Sequence, residues 1–340
     1  MGLFDFLTQE IAMDLGTANT IIIHNDKVVL EEPSIVAKDI KTDKVIAIGQ
    51  DALMMEGKTH SKIETIRPLK DGVIADFTAA EEMIRGMIKK IQNKKSWVKP
   101  SLKMVICIPS GITEVEKRAV KDSAEHCGGK EVYLLHEPMA AAIGIGIDVS
   151  KPTGNMVIDI GGGTSEIAVI SLGGIVCDKS IRVAGDDFNG DIEEYMRRQH
   201  NMKIGIRTAE RIKIEVGSAL TELENPPEDL KVHGSDLMTG IPRETTVSYS
   251  EVAIALDKSI SKIEAAVLSA LELTPPELSA DIYKTGIYLT GGGALLRGLD
   301  RRIQAKTKLP VHVADDPLRA VARGTGIALK NIDKFPFLLR

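Results

Sequence analysis

IAMDLGTANTIIIHNDKVV (residues 11–29) and MVIDIGGGTSEIAVISLGGIV (residues 156–176) are two versions of one pattern. Each is an apolar run that reaches Asp-x-Gly, followed by a Gly/Thr-rich turn, a second apolar run, a tight turn and a third apolar run. The copies align Asp14 with Asp159 and Gly16 with Gly161. Asn25-Asp26 and Gly173-Gly174 are the expected hairpin turns. A repeat this widely spaced predicts two similar half-molecules, since a solenoid would repeat at a far shorter period. Glycine lets backbone N–H groups approach an anion closely. Two facing loops of this kind predict one nucleotide held in a cleft between two lobes.

The bulk composition is compatible with that picture. A chain of 340 residues has room for a large core and more than one domain. The formal charge is −5, from 43 basic and 48 acidic side chains, so the whole molecule is not built to coat nucleic acid. Cys107, Cys127 and Cys177 are an odd, scattered set, which predicts buried, reduced thiols in a cytoplasmic protein. The 7 histidines show no metal-ligand spacing. No apolar run approaches the ~18 residues of a spanning helix. No secretory leader is expected, because the first motif opens by Ile11.

Short β-branched runs alternate with helical periods, which predicts an α/β fold with a sheet and flanking helices in each half. Residues 31–72 read as a small insertion in the first half and residues 182–246 as one in the second. The expected division is residues 1–140 plus 318–340 in lobe I and residues 141–317 in lobe II. A helix is expected over 76–94 with Thr78 and Glu81 as its capping box, and another opened by Thr113 and Glu116. Residues 187–224 read as helical, a further helix runs from Ser250 to Leu273, and Tyr283–Leu289 reads as a strand.

Three glycine turns carry the candidate chemistry. In the first, Thr17 and Asn19 can add donors beside Gly16 and Ala18. Asp14 would meet phosphate only through Mg²⁺ and its waters, because direct contact is repulsive. Gly161, Gly162, Gly163 and Thr164 repeat the design after Asp159. Gly291, Gly292, Gly293 and Ala294 form a third turn between a strand and a helix, a plausible phosphate or nucleotide cradle. None of the three is GxGxxG, GxxxxGK[ST] or a kinase catalytic loop. Glu137 follows a strand and precedes Pro138; it could activate a water, or be a plain loop carboxylate.

Together the motifs resemble those of the actin, sugar kinase and heat-shock chaperone ATPase superfamily, and within it most closely the MreB family of bacterial actins. DLGTANT (14–20), KDGVIADF (70–77), HEPMAAAIG (136–144), DIGGGTSEIAV (159–169) and LTGGGALLRGLD (289–300) carry the resemblance. It implies an actin-like ATPase fold of two related lobes, with ATP or ADP and magnesium in the cleft between them. It implies that Thr17, Ala18 and Asn19 clasp the phosphates with Gly161, Gly162, Gly163 and Thr164. Asp14 and Asp159 would hold Mg²⁺ through water, and Glu137 and Thr164 would position the attacking water. Glu210 and Lys213 would touch adenosine, although by spacing alone they are a surface i, i+3 pair. Gly292, Gly293 and Ala294 would lie against the nucleotide from the other side.

The same resemblance implies a homopolymer of paired protofilaments that guides cell-wall synthesis in rod-shaped cells. The expected partners are the inner face of the cell membrane and elongation proteins such as MreC, MreD and RodZ. A sugar-type kinase on this fold would need a base outside the phosphate loops, and none can be placed. A chaperone would need a peptide-binding domain, and none is expected here. Plasmid-segregating and division-linked actins are nearer rivals. Two segments suggest membrane contact. Leu3, Phe4, Phe6 and Leu7 make an apolar stripe on a helix, suited to core packing or to a bilayer. Trp97 and Val98 sit among lysines, suited to packing on their own helix or, by the resemblance, to entering lipid.

Overall fold

The computed structural model describes residues 8–92 and 101–339. The first copy of the repeat forms three antiparallel strands, β1 (Thr8–Leu15), β2 (Asn19–His24) and β3 (Lys27–Pro33). The insertion follows as β4 (Val36–Asp39), β5 (Lys44–Ile48), helix α1 (Gln50–Met55), β6 (Ile63–Ile66), and the two-residue strands β7 (Leu69–Lys70) and β8 (Val73–Ile74). Helix α2 (Phe77–Ile91), β9 (Ser101–Ile108), α3 (Glu114–His126) and β10 (Gly129–His136) complete the half. Helix α4 (Glu137–Gly144) leads to the second copy, β11 (Asn155–Ile160), β12 (Ser165–Ser171) and β13 (Gly174–Ile181).

The second insertion holds α5 (Gly185–His200), β14 (Met202–Lys203), α6 (Ile206–Val216), β15 (Leu230–Asp236) and β16 (Pro242–Val247). Then come α7 (Tyr249–Leu273), α8 (Pro276–Thr285), β17 (Ile287–Thr290), α9 (Leu299–Thr307), β18 (Val311–Val313) and α10 (Ala320–Lys330).

The repeat extends well past the loops. One sheet has the order β10-β9-β1-β2-β3 and the other β18-β17-β11-β12-β13. In both, the first strand of the repeat pairs parallel with a later strand, which pairs parallel with another. The phosphate turns have the same register, Leu15 opposite Thr20 and Ile160 opposite Ser165. Even the irregularities match. An extra residue bulges from the third strand two pairs past the turn, Val29 in one copy and Val176 in the other.

Strand parity then places the chemistry. Ala12 on β1 and Val157 on β11 belong to a core shared by the two sheets, whereas Met13 and Ile158 face each sheet's own core. Asp14 and Asp159 have the parity of Ala12 and Val157, so they face the seam between the lobes. Helices α4 and α10 fill that seam, with Met139–Ile143 and Val321, Ala322, Ala328 and Leu329 in the shared core.

Several expectations need correction. The second hairpin turns at Leu172-Gly173 (φ 52° and 71°), not at Gly173-Gly174. Asn25-Asp26 turns as expected, with φ of 50° and 60°. Helix α2 is capped by Asp76, which accepts from Ala79 N, so Thr78 lies inside the helix. Ser248 rather than Ser250 caps α7, in a box with Glu251. The Thr113–Glu116 box is formed. Residues 187–224 are interrupted by β14 and end in irregular chain. Pro276 opens α8, so Tyr283 is helical and the strand begins only at Ile287. All three cysteines are free; Cys107 is buried, but Cys127 and Cys177 are only half-buried. Leu3, Phe4, Phe6, Leu7, Trp97 and Val98 lie outside the described residues. Among the described residues, no helix is long and apolar enough to cross a membrane.

Candidate nucleotide site

The phosphate turns of the two copies meet across the seam. A Cβ placed on Gly162 would lie 2.7 Å from Ala18 Cβ, and one on Gly163 would lie 2.7 Å from Thr17 Oγ1. Glycine is therefore required here by close approach rather than by a positive φ. The second turn is also braced from behind, where α5 starts. Gly185 N donates to Gly161 O (3.1 Å) and Asp186 N to Gly162 O (2.8 Å).

Above the turns opens a cavity of about 490 Å³, within the size range of ligand pockets. Its walls include Asp14, Gly16, Thr17, Ala18 and Asn19 from one lobe and Asp159, Gly161, Gly162, Gly163 and Thr164 from the other. Glu137, Glu210, Lys213, Gly291, Gly292 and Gly293 complete the residues expected from sequence. Ala294 is the exception: it is buried in the core of the second lobe, beneath the turn. The cavity also takes in Glu31, Gly72, Asp186, Leu295, Pro317 and Leu318. Of these only Gly72 carries a sequence signal, the Asp71-Gly72 turn dipeptide. The others reach the cavity through tertiary packing.

The site gathers carboxylates, with Asp159 buried and Asp14 and Glu137 half-buried. Burial, and secondarily the charge of Asp159, raises Asp14 from 3.8 to about 7. Burial raises Asp159 to about 6, against the opposing hydrogen bond from Thr290 Oγ1 (2.7 Å). Glu137 is the first residue of α4. Burial, then Glu166, Asp159 and Asp14, push its carboxyl well above the usual range. Neither Asp14 nor Asp159 is in an ion pair among the described residues. Below about pH 6 protons neutralise them; once ionised, they favour a cation.

Beside the second turn, Lys213 Nζ donates to Gly185 O (2.9 Å), and burial lowers its pKa. Glu210 and Lys213 thus stand at the cavity wall rather than on open surface. Ile214, Phe188, Leu295, Leu296 and Leu318 add apolar lining suited to a base. Small polar turns and apolar walls together make a container suited to a nucleotide.

Comparison with known proteins agrees. The MreB/Mbl protein family matches residues 8–336. The chain belongs to the MreB/Mbl family. It is 49% identical over 329 residues to the cell shape-determining protein Mbl of Bacillus subtilis (strain 168), covering 96% of this chain and 98% of that protein. It is 48% identical over 333 residues to the cell shape-determining protein MreB of Escherichia coli (strain K12), covering 96% and 94%. The crystal structure of MreB5 of Spiroplasma citri bound to AMPPNP superposes with a TM-score of 0.91 at 40% identity, covering 96% of this chain and 97% of that one. The fold is therefore the actin-like one of MreB/Mbl proteins, and the protein's role is that of a cell-shape determinant. The sugar-type kinase reading falls away with this membership.

Proposed function

We propose that the chain is an ATPase that polymerises into membrane-associated filaments and organises cell-wall synthesis. The observation that carries this reading is the convergence of both glycine turns and the carboxylates on one cavity. The AMPPNP complex of the Spiroplasma citri relative supports ATP or ADP as the occupant.

Residues 1–140 with 318–340 act as one lobe and residues 141–317 as the other. Thr17, Ala18 and Asn19 bind the phosphates from the first lobe, and Gly161, Gly162, Gly163 and Thr164 from the second. Glu210 and Lys213 orient the adenosine end, and Gly291, Gly292 and Gly293 line its other side. The donor set fits a magnesium ion, since Asp159 is buried and Asp14 half-buried, both line the cavity, and neither has a cationic partner among the described residues. They would hold it through its waters, and when bound it neutralises the phosphate oxygens. Among the described residues, no cluster of three or more His, Cys, Asp or Glu could hold a metal ion by itself.

Glu137 takes a proton from the attacking water while Thr164 orients it. Burial and the neighbouring carboxylates raise its proton affinity well above the ordinary carboxylate range, which strengthens it as a base. Replacing Glu137 with Gln keeps shape and polarity but removes the base. ATP turnover should fall about 10²–10⁴-fold with nucleotide affinity kept. Phosphate release and nucleotide titration on the same protein measure both, and retained turnover would remove Glu137 from the mechanism.

Nucleotide in the cleft holds the lobes together, so assembly is coupled to its state. Light scattering above a critical concentration should depend on ATP; equal assembly without nucleotide would break the coupling. The membrane contact rests on sequence. Burying Trp97 and Val98 gives on the order of 3–5 kcal/mol, and each neighbouring lysine adds up to about 1 kcal/mol on anionic lipid. Single subunits then bind weakly and filaments bind by avidity. Leu3, Phe4, Phe6 and Leu7 supply a second anchor. Trp97→Glu should cut liposome co-sedimentation several-fold without touching ATP binding; unchanged sedimentation assigns the anchor to the N-terminus. Bound filaments would lie on the inner face of the cell membrane, where MreC, MreD and RodZ are the expected partners.

A further inference from the structure

Strand β12 is buried along its whole length, and the only charged side chain on it is Glu166, which is 0% exposed. The two copies of the repeat differ here. Opposite Asp14 the first copy places Ile21, and opposite Asp159 the second places Glu166. Ile21 lies in the core shared by the two sheets, as do Ala168 and Ile170, which have the parity of Glu166. A carboxylate in such surroundings destabilises unless its oxygens are satisfied. The chemistry above makes no use of it.

Its two oxygens are taken by the two halves of the molecule. Oε2 accepts from Ser110 N (3.1 Å), just past β9 of the first sheet. Oε1 accepts from Ser180 Oγ (2.5 Å), on β13 of the second sheet and paired with Glu166 across the strands. Gly111, next to Ser110, sits against the same serine: a Cβ there would lie 3.0 Å from Ser180 Cβ. On the other side of Ser110, the carbonyl of Pro109 accepts from His136 Nδ1 (3.4 Å). His136 is the N-cap of α4, and Glu137 follows as its first residue. Residues 109–111 therefore stand between Glu166 and the backbone that carries Glu137.

We propose that Glu166 is a positioning residue for Glu137. Its carboxylate clasps residues 109–111 of the first half onto the second sheet, and that segment holds the start of α4, and Glu137 with it, toward the cavity. The catalytic half of this proposal rests on the ATPase reading above. Both partners of Glu166 donate, and a carboxylate only accepts. Glutamine can keep both contacts, because its oxygen accepts from Ser110 N while its amide donates to the Ser180 hydroxyl. Alanine leaves Ser110 N without its partner.

The test compares wild type, Glu166→Ala, Glu166→Gln and Ser180→Ala. It reads turnover at saturating ATP with magnesium, affinity for ADP, and amide hydrogen exchange over residues 108–112. In Glu166→Ala turnover should fall about tenfold or more, as for a displaced catalytic group, and exchange should rise about tenfold. ADP affinity should stay within about twofold of wild type, since the phosphate turns are untouched. Glu166→Gln should restore most of both losses. Unchanged exchange in Glu166→Ala would overturn the clasp, and unchanged turnover would overturn its tie to Glu137. ADP affinity falling in step with turnover would show general loosening and overturn the positioning role. So would a Glu166→Gln protein as impaired as Glu166→Ala. If Glu166→Ala does not fold, Ser180→Ala decides: losing one arm should change turnover and exchange about threefold, and no change in either would overturn the proposal. A wild type that turns over no ATP would instead sink the proposed function, and exchange would still decide the clasp.

Discussion

Replacing Asp14 with Asn is expected to make the metal-free protein more stable at pH 8, not less, while removing most of its response to magnesium. Asp14 is lifted from 3.8 to about 7 by burial and by Asp159. Between those values the folded protein holds a proton that the unfolded chain has released. Stability contributed by the neutral form is therefore full below about pH 4 and is lost as pH rises through 7. Above pH 7 the ionised group has cost on the order of 4 kcal/mol relative to the unfolded chain. Asparagine keeps the shape and carries no charge. The variant should gain about 1–3 kcal/mol over wild type at pH 8 and less than half of that at pH 5, because the loss begins once pH passes about 4. Asp159, at about 6, adds to the wild-type loss in the same direction.

A magnesium nucleotide reverses the balance, because the cation needs the charge that the empty site disfavours. Nucleotide affinity in magnesium should drop about 10–100-fold in Asp14→Asn, the usual effect of losing an outer-sphere partner. Affinity in EDTA should hardly move. Thermal unfolding at pH 5 and 8, with and without magnesium ADP, reads all four corners. A wild type whose metal-free stability is flat from pH 5 to 8, or a variant that keeps its magnesium response, would show that Asp14 is not part of the ion's support.

The repeat was visible in the sequence because both copies use one register and one alternation of apolar residues. Asp14 and Asp159 were found for the same reason: period-two parity carries them to the shared face. The parallel strands β9, β10, β17 and β18 gave no such sign of belonging to the repeat. Their sequences differ, and only hydrogen bonding across many intervening residues makes the sheets alike. Short capping signals were legible to within two or three residues. Asp76 and Ser248 were displaced from the expected caps because several capping residues stand side by side there. The second turn falls at Leu172-Gly173 because Leu172 takes a positive φ of 52°, a conformation that leucine does not announce. Ala294 was misplaced because a glycine turn does not tell which of its residues packs inward. Lys213 and Glu210 needed the family resemblance, since a charged i, i+3 pair is ordinary on any helix.

The second large effect is expected where α4 and α10 cross. A Cβ on Gly324 would stand 1.8 Å from Ala140 O, and one on Gly144 would stand 1.8 Å from Ala320 O. The obstructing atoms are backbone of the facing helix, so no rotamer change can make room. Either substitution by Ala must drive the two helices apart in the middle of the core that both sheets share. Gly324→Ala should therefore cost about 3–5 kcal/mol, above the usual range for one added methyl. Two glycines serve as internal comparisons. A Cβ on Gly326, also in α10, would meet only the Ile23 side chain at 3.2 Å, which can give. One on Gly190, inside α5, would meet nothing within 4 Å, so Ala there should stabilise by about 0.5–1 kcal/mol. Chemical denaturation of the three variants tests the order. The displacement should also reach the cavity, because Glu137 opens α4 and Pro317–Leu318 lead into α10. Residual folded Gly324→Ala protein should lose turnover by more than it loses nucleotide affinity. Were Gly324→Ala as stable as Gly326→Ala, the helices would have to be separable without cost, and the seam could not be the rigid support that holds Glu137 toward the phosphate.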